Sequence, residues 1–256
     1  MNAARIVRVG CAGWSIASRH AQYFGPGDSA LQRYATRFPV VEINSSFHRP
    51  HQPKTYERWA ASVPAGFRFS VKVPRLITHE LGLRGAGPAL HRFLDEAGHL
   101  DTHLGGLLVQ LPPSLAFDAQ VATTFFAMVR HRTAVPVVCE PRHASWFTGQ
   151  AERLLVSHDI ARAGVDPART APAATPGGAC SWRYWRWHGS PRIYYSEYAD
   201  PALVDLATKV TKDAGMAPRW VIFDNTAHGF AIPNAVRLQE LLSGTAITAR
   251  EGRPNA

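Results

Sequence analysis

Val40-Val41-Glu42-Ile43-Asn44 reads as a strand that is apolar on one face and polar on the other. Side chains alternate faces along a strand, so Val41 and Ile43 share one side while Glu42 and Asn44 share the opposite one. The arrangement recurs in Arg68-Phe69-Ser70-Val71-Lys72, Leu107-Leu108-Val109-Gln110, Val137-Val138-Cys139-Glu140, Arg162-Ala163-Gly164-Val165-Asp166 and Tyr184-Trp185-Arg186-Trp187-His188. A buried strand with polar groups on one face shows that face something other than oil. The pattern therefore marks where a site lies before it says what the site does.

Working outward, the periodicity predicts strands over 6–11, 39–44, 67–73, 105–111, 135–140, 160–166, 183–188 and 219–224. Helical patterns fill 28–38, 53–62, 87–100, 118–131, 148–158, 200–214 and 230–242. Asp118 is placed to cap the helix before Val121, and Pro201 follows Asp200 in a first-turn position. Strands alternating with helices of this length imply parallel βαβ units. Eight strands in βα order within 256 residues predict a single (β/α)8 TIM-like barrel. No Gly-x-Gly-x-x-Gly or Walker motif points to a nucleotide-binding Rossmann sheet. The barrel is expected to occupy 1–243, with 244–256 a flexible tail. Between Asp166 and Gly178 runs an Ala/Pro/Gly/Thr loop, read as a surface excursion or as a lid over the site.

Composition bounds the rest. Apolar residues make up 46% of the chain and charged residues 18%, which suits a folded domain and not a disordered one. No apolar run is long enough to cross a membrane, and no signal-peptide pattern precedes Ile6, so a cytoplasmic protein without membrane contact is expected. Oligomeric state is left open. Cys11, Cys139 and Cys180 show no disulfide or zinc spacing; Cys11 and Cys139 read as small buried hydrophobes. Twenty-eight basic against 19 acidic residues give a net charge of +9, favouring anionic partners: a small anionic ligand, or nucleic acid. The arginines are scattered, with no basic tail.

In a barrel one strand face packs on helices and the other points inward. Parity puts Glu42, Asn44, Ser70, Lys72, Gln110, Glu140, Arg142, Arg186 and His188 on the inner face, with Arg8, Gly10, Arg162 and Asp166 fitting it too. Arg8 and Arg162, nearer the N-terminal halves, would need carboxylate partners inside the barrel. Groups at C-terminal strand ends converge where barrel enzymes keep their sites, and Asp224-Asn225 joins them from the last strand.

These strand-tip motifs resemble those of the YecE-like proteins, domain-of-unknown-function family 72. The resemblance runs through Val9-Gly10-Cys11-Ala12-Gly13-Trp14-Ser15, Val41-Glu42-Ile43-Asn44-Ser45-Ser46-Phe47 and Phe67-Arg68-Phe69-Ser70-Val71-Lys72-Val73-Pro74-Arg75. It continues in Gly106-Leu107-Leu108-Val109-Gln110-Leu111-Pro112-Pro113, Glu140-Pro141-Arg142-His143-Ala144-Ser145-Trp146-Phe147, Arg186-Trp187-His188-Gly189 and Phe223-Asp224-Asn225. It implies a TIM-like barrel and supplies no settled activity. His48 and Trp187 depart from the residues usual in the family, so the pocket is expected to differ in detail.

Several chemistries fit the tips. Glu42 and Glu140 can divide acid and base roles, with His188 as proton relay. Lys72, Arg142 and Arg186 can clamp an anion, with Trp14, Asn44, Phe47, Gln110, Trp146, Asp224 and Asn225 lining the substrate. Lys72 can instead form a Schiff base, or simply pair with a glutamate. No cofactor is predicted and no metal site is assigned. A divalent ion at Glu42, Glu140, His188 and Asp224 is the alternative, opposed by the cations on the same face. The expected function is a hydrolase- or lyase-type enzyme for a small anionic or sugar-phosphate-like substrate. Its rival is a non-catalytic binder of nucleic acid or an anionic metabolite.

Overall fold

The structure, a computed structural model, describes residues 7–212 and 217–251. Its strands are β1 (Val7–Ala12), β2 (Val40–Ile43), β3 (Arg68–Lys72), β4 (Leu104–Gln110), β5 (Val137–Glu140), β6 (Ile160–Arg162), β7 (Gly164–Asp166), β8 (Gly177–Gly178), β9 (Arg183–Trp187) and β10 (Arg219–Phe223). Helices are α1 (Ala30–Ala35), α2 (Ser45–His48), α3 (Pro53–Ala61), α4 (Gly87–Gly98), α5 (Ala119–Arg132), α6 (Gly149–Ser157), α7 (Asp200–Lys212) and α8 (Ala231–Glu251). One cap forms as the sequence predicts, and a second is found in the structure alone. Asp118 accepts from the Val121 amide at 3.1 Å, and Ser29 with Gln32 closes a capping box on α1.

Hydrogen bonding runs β7-β9-β10-β1-β2-β3-β4-β5-β6-β8. The two ends of that order explain the closure. β6 pairs with β5 and β7 pairs with β9, yet β6 and β7 are consecutive pieces separated only by Ala163. The expected strand 160–166 is thus one path, paired first with β5 and then with β9, that joins the sheet into a nearly closed eight-stranded barrel. All pairings are parallel except β6 with β8, a two-residue return of the loop after β7. Between β7 and β9 the only helical piece is a 3-10 turn, Ala171–Ala174, so this loop takes the place of an α-helix.

Apolar residues separate into two clusters, as parity requires. Val41, Ile43, Phe69, Val71, Val137 and Cys139 face the helices, where α5 meets the sheet through Phe125, Phe126 and Val129. Full burial of such side chains stabilises the fold by about 1.5–3 kcal/mol each. Inside the barrel, Val40, Leu108, Val138, Trp182, Tyr184 and Trp220 form a separate plug below the polar strand tips. Trp182 stands edge-on to Tyr184 at 4.8 Å and to Trp220 at 5.0 Å. Three large aromatics fit because Gly105 and Gly106 on β4 leave room for the two indoles.

Two parity readings are corrected. Arg162 lies on the outer face: its guanidinium bonds Glu152 of α6 at 3.2 Å and the carbonyls of Pro172 and Thr175. Asp166 also turns outward, accepting from Tyr198 at 2.8 Å. Alternation runs unbroken through β6 and β7, with Ala161, Ala163 and Val165 on the inner side, so the opposite parity, Arg162 and Asp166, lies outside. Arg8 has no need of a carboxylate, because it donates to the carbonyl oxygens of Gly66 and Pro39 at the partly open barrel bottom. α8 continues past Ser243 into the expected tail, and 252–256 lie outside the described residues. Among the described residues no helix is long and apolar enough to cross a membrane.

A methyl group at Gly106 would overlap the Trp182 indole. Gly106→Ala is therefore expected to destabilise the barrel by about 1–3 kcal/mol, read as a lowered urea midpoint.

Candidate functional site

Above the aromatic plug lies a layer of charge, assembled from strand ends. Arg186 of β9 is its centre and has no exposed surface. Nε donates to Glu42 Oε1 and Oε2 at 3.0 and 2.9 Å, and Nη2 reaches Oε1 at 2.6 Å. The remaining donors go to Glu140 Oε2 and Asp224 Oδ2, each at 3.0 Å. One guanidinium thus holds a carboxylate from β2, one from β5 and one that follows β10. Such charge-assisted bonds are strong, and their fixed fork sets the three acids in one plane.

The acids have further partners. Glu42 Oε2 accepts from Tyr184 at 2.7 Å, and Tyr184 is also 3.2 Å from Ser70 Oγ. Glu140 Oε1 accepts from Gln110 at 2.8 Å and from Arg142 Nε at 3.1 Å. His188 Nδ1 lies 3.1 Å from Asp224 Oδ2, while its Nε2 is 3.3 Å from Glu140 Oε1. That second contact is an electrostatic pairing without a well-aligned hydrogen bond, so Nε2 is buried with no hydrogen-bond partner.

These neighbours set the protonation states. Burial pushes the Glu140 carboxyl up, but Arg186, His188 and Arg142 outweigh it and hold the group well below the usual carboxylate range. Asp224 is likewise lowered: burial is overcome by Arg186 and His188, with Lys72 adding to them. For His188 burial favours the neutral ring, yet Glu140 and Asp224 prevail and raise it. Lys72 goes the other way. Burial and the nearby Arg186 charge lower its ammonium to about 8, against the pull of Glu42, Glu140 and Asp224. Its Nζ sits 4.0 Å above the Phe47 ring, and among the described residues it makes no ion pair or hydrogen bond.

Two clefts flank the layer. One, of about 390 Å³, is walled by Glu140, Arg142, His143, Phe147, Arg169 and His188. The loop after β7 supplies much of its far side through Pro167, Ala168, Thr170 and Ala173, so the loop is a wall of this cavity. The second, of about 770 Å³, runs outside Phe47 past His48, Arg49 and Arg75.

Residues 8–255 match the family described as "Protein of unknown function DUF72". The chain belongs to the DUF72 family. It is similar to the UPF0759 protein YecE of Escherichia coli K12, 29% identical over 107 residues, which is 42% of this chain and 38% of that protein. It is also similar to the UPF0759 protein YunF of Bacillus subtilis 168, 26% identical over 56% of this chain and 53% of that one. The matched regions therefore span about four-tenths and half of these relatives' lengths. A solved DUF72 family protein of Enterococcus faecalis V583 superposes with a TM-score of 0.79 at 22% identity, covering 93% of this chain and 96% of the other. That likeness is one of fold.

In this DUF72 barrel the expected site residues divide into those that meet and those that do not. Glu42, Lys72, Gln110, Glu140, Arg142, Arg186, His188 and Asp224 share the layer, and Asn44 joins it by a 3.4 Å contact from Nδ2 to Asp224 Oδ1. Glu42 and Arg186 form its sealed floor, both with no exposed surface. Phe47 supports Lys72 and meets His79 edge-on at 5.0 Å. Trp146 lies elsewhere: it is buried in the outer core, with Nε1 on the Leu115 carbonyl and its ring against Phe117. Trp14 packs edge-on against Trp59 at 5.0 Å. Asn225 ties loops together by donating to Ser196 and Asn234.

Four participants went unassigned in the sequence. Tyr184 has the same parity as Arg186, so alternation could have found it. Tyr194, which stands edge-on to His188, comes from an irregular loop with no such signal, as do His143 and Arg169. As to a metal, Glu42, Glu140 and Asp224 point at the Arg186 guanidinium, which occupies the place a divalent ion would need. Among the described residues no three His, Cys, Asp or Glu side chains are grouped to hold one. The thiols are remote from chemistry: burial pushes Cys11 up to about 12, and Cys139 is raised as well.

Removing Arg186 leaves buried carboxylates uncompensated, at a cost of about 3–5 kcal/mol. Unpaired and buried, these acids would have folded pKa values above their unfolded ones, so they favour the fold only at low pH and oppose it as pH rises. Arg186→Met is thus expected to be far less stable than the parent at pH 8 and closer to it near pH 4, by urea titration at both. Lys72 carries the opposite signature. Its folded value of about 8 lies below 10.5, so the unfolded chain binds the extra proton between them. Stability then rises with pH through that window, and below it the charged lysine costs on the order of 3 kcal/mol. Lys72→Met is expected to unfold at higher urea than the parent at pH 7, with the gap closing as pH approaches 10.5.

Proposed function

We propose that this DUF72 chain is an enzyme of hydrolase or lyase type, acting on a small anionic, sugar-phosphate-like substrate at the C-terminal mouth of the barrel. The observation that carries the reading is His188: buried, held between two carboxylates, and among the residues that line the cavity. A histidine whose protonated form is favoured by Glu140 and Asp224 supplies a proton donor at the cavity wall, and Glu140 beside it can take the proton back. Glu42 has no access to a substrate, so its part is to hold Arg186 in place. The layer sets three carboxylates among Arg186, Arg142, His188 and an unpaired Lys72, a surplus of positive charge when Lys72 and His188 carry their protons. In a cavity partly closed to water, that surplus favours an anion.

Turnover of a panel of sugar phosphates and sugar acids, assayed for C–O and C–C cleavage, tests the proposal. His188→Gln and Glu140→Gln are expected to lower kcat by about 10²-fold or more while remaining folded. Arg142→Ala is expected mainly to raise KM. The rival reading gains if the chain binds DNA or RNA with steep salt dependence and the His188 and Glu140 variants bind as the parent does.

A further inference from the structure

We propose that Lys72 is a covalent amine, whose Nζ condenses with the carbonyl of a small anionic aldehyde or ketone at the barrel mouth to form a Schiff base. This rests on the reading of the mouth as an enzymatic anion site and names its substrate class.

Arginine is the default cation of this chain: only Lys54, Lys72, Lys209 and Lys212 of the 28 basic residues are lysines. Lys54, Lys209 and Lys212 are exposed on α3 and α7, whereas Lys72 is buried at 8% exposure among arginines at the centre of the barrel. A guanidinium there would hold an anion equally well, and with better geometry. What it could not do is lose a proton and become a nucleophile. The surroundings favour that loss. Arg186 takes up Glu42, Glu140 and Asp224, so the lysine has three acids nearby and forms an ion pair with none of them. Phe47 covers one side of the ammonium, and Ser46 fixes the main chain beneath it by donating to the Lys72 carbonyl at 2.7 Å. A lysine kept for structure alone would be expected to pair with a carboxylate, and here three are within reach of its field. The groups facing it are Arg186, Glu42, Glu140, Asp224 and His79, and their summed effect with burial is a lowered ammonium. Relative to an exposed lysine, the neutral fraction at pH 7 is larger by about 10²-fold.

The step balances simply. The neutral amine adds to the carbonyl carbon, forming the N–C bond. The oxygen then departs as water, carrying one proton from Nζ and one from solvent, and leaves a protonated imine. That cation draws electrons from the neighbouring carbon, which is the demand a lyase reaction makes.

Pyridoxal 5′-phosphate, an aldehyde bearing a phosphate, serves as the probe on the full chain. After borohydride reduction and peptide mapping, the expected result is one adduct at Lys72, formed faster as pH rises through about 8 and slowed by inorganic phosphate. Modification of Lys54, Lys209 and Lys212 with Lys72 untouched overturns the proposal. The adduct is read on the parent protein, so the outcome does not depend on a variant that folds. Lys72→Arg separates the two readings. If phosphate raises the melting temperature of parent and variant alike and Lys72 is never modified, the anion site stands and the covalent role falls. If Lys72 is modified but phosphate neither protects nor stabilises, the covalent amine stands and the anion site falls.

Discussion

One guanidinium facing three carboxylates is the constraint on which the upper half of this barrel depends. Arg186 reaches strands that are distant in sequence, from Glu42 to Asp224, and fixes their tips against one another. A single buried ion pair is weak evidence for stability, because desolvation offsets most of the Coulomb gain. Here the arrangement does something else. It absorbs the acids in one place, and so determines which groups nearby lack a hydrogen-bond partner: one imidazole nitrogen and one amine.

The barrel has two interiors stacked along its axis. The lower one is dry, filled by Trp182, Tyr184 and Trp220 against glycines of β4. The upper one is charged. Tyr184 belongs to both, with its ring in the plug and its hydroxyl on Glu42. This junction lets a rigid apolar base carry groups whose positions must be accurate to a few tenths of an ångström.

Most of this was legible in the chain. Alternation along Val40–Asn44 and Tyr184–His188 located the inner face because the backbone allows only two directions for a strand side chain. It failed after Ile160, where Ala161, Ala163 and Val165 took the inner face and left Arg162 and Asp166 outside, because alternation gives two faces without saying which one is inner. It also could not rank the inner residues. Glu42 and Glu140 look equivalent in sequence, yet one is the floor and the other a wall, since depth depends on strand stagger. Aromatic residues were least legible: Trp146 fills the outer core, while Tyr194 reaches the layer from a loop. The family resemblance fixed the fold and, like the pattern, left the reaction open.

The loop after β7 is fastened from outside the barrel. Arg162 grips the carbonyls of Pro172 and Thr175 and pairs with Glu152, and Gly177–Gly178 adds a short antiparallel rung to β6. None of these ties touches Arg186 or its acids. The near end of the loop is different: the His188 amide donates to the Asp166 carbonyl at 2.7 Å, and Val165 pairs with Arg186 in the sheet. The cavity wall therefore has two mountings, one shared with the charged layer and one independent of it. A strain placed on the outer half of the loop is borne by α6 and β6, and reaches the charges only through the short edge of β7.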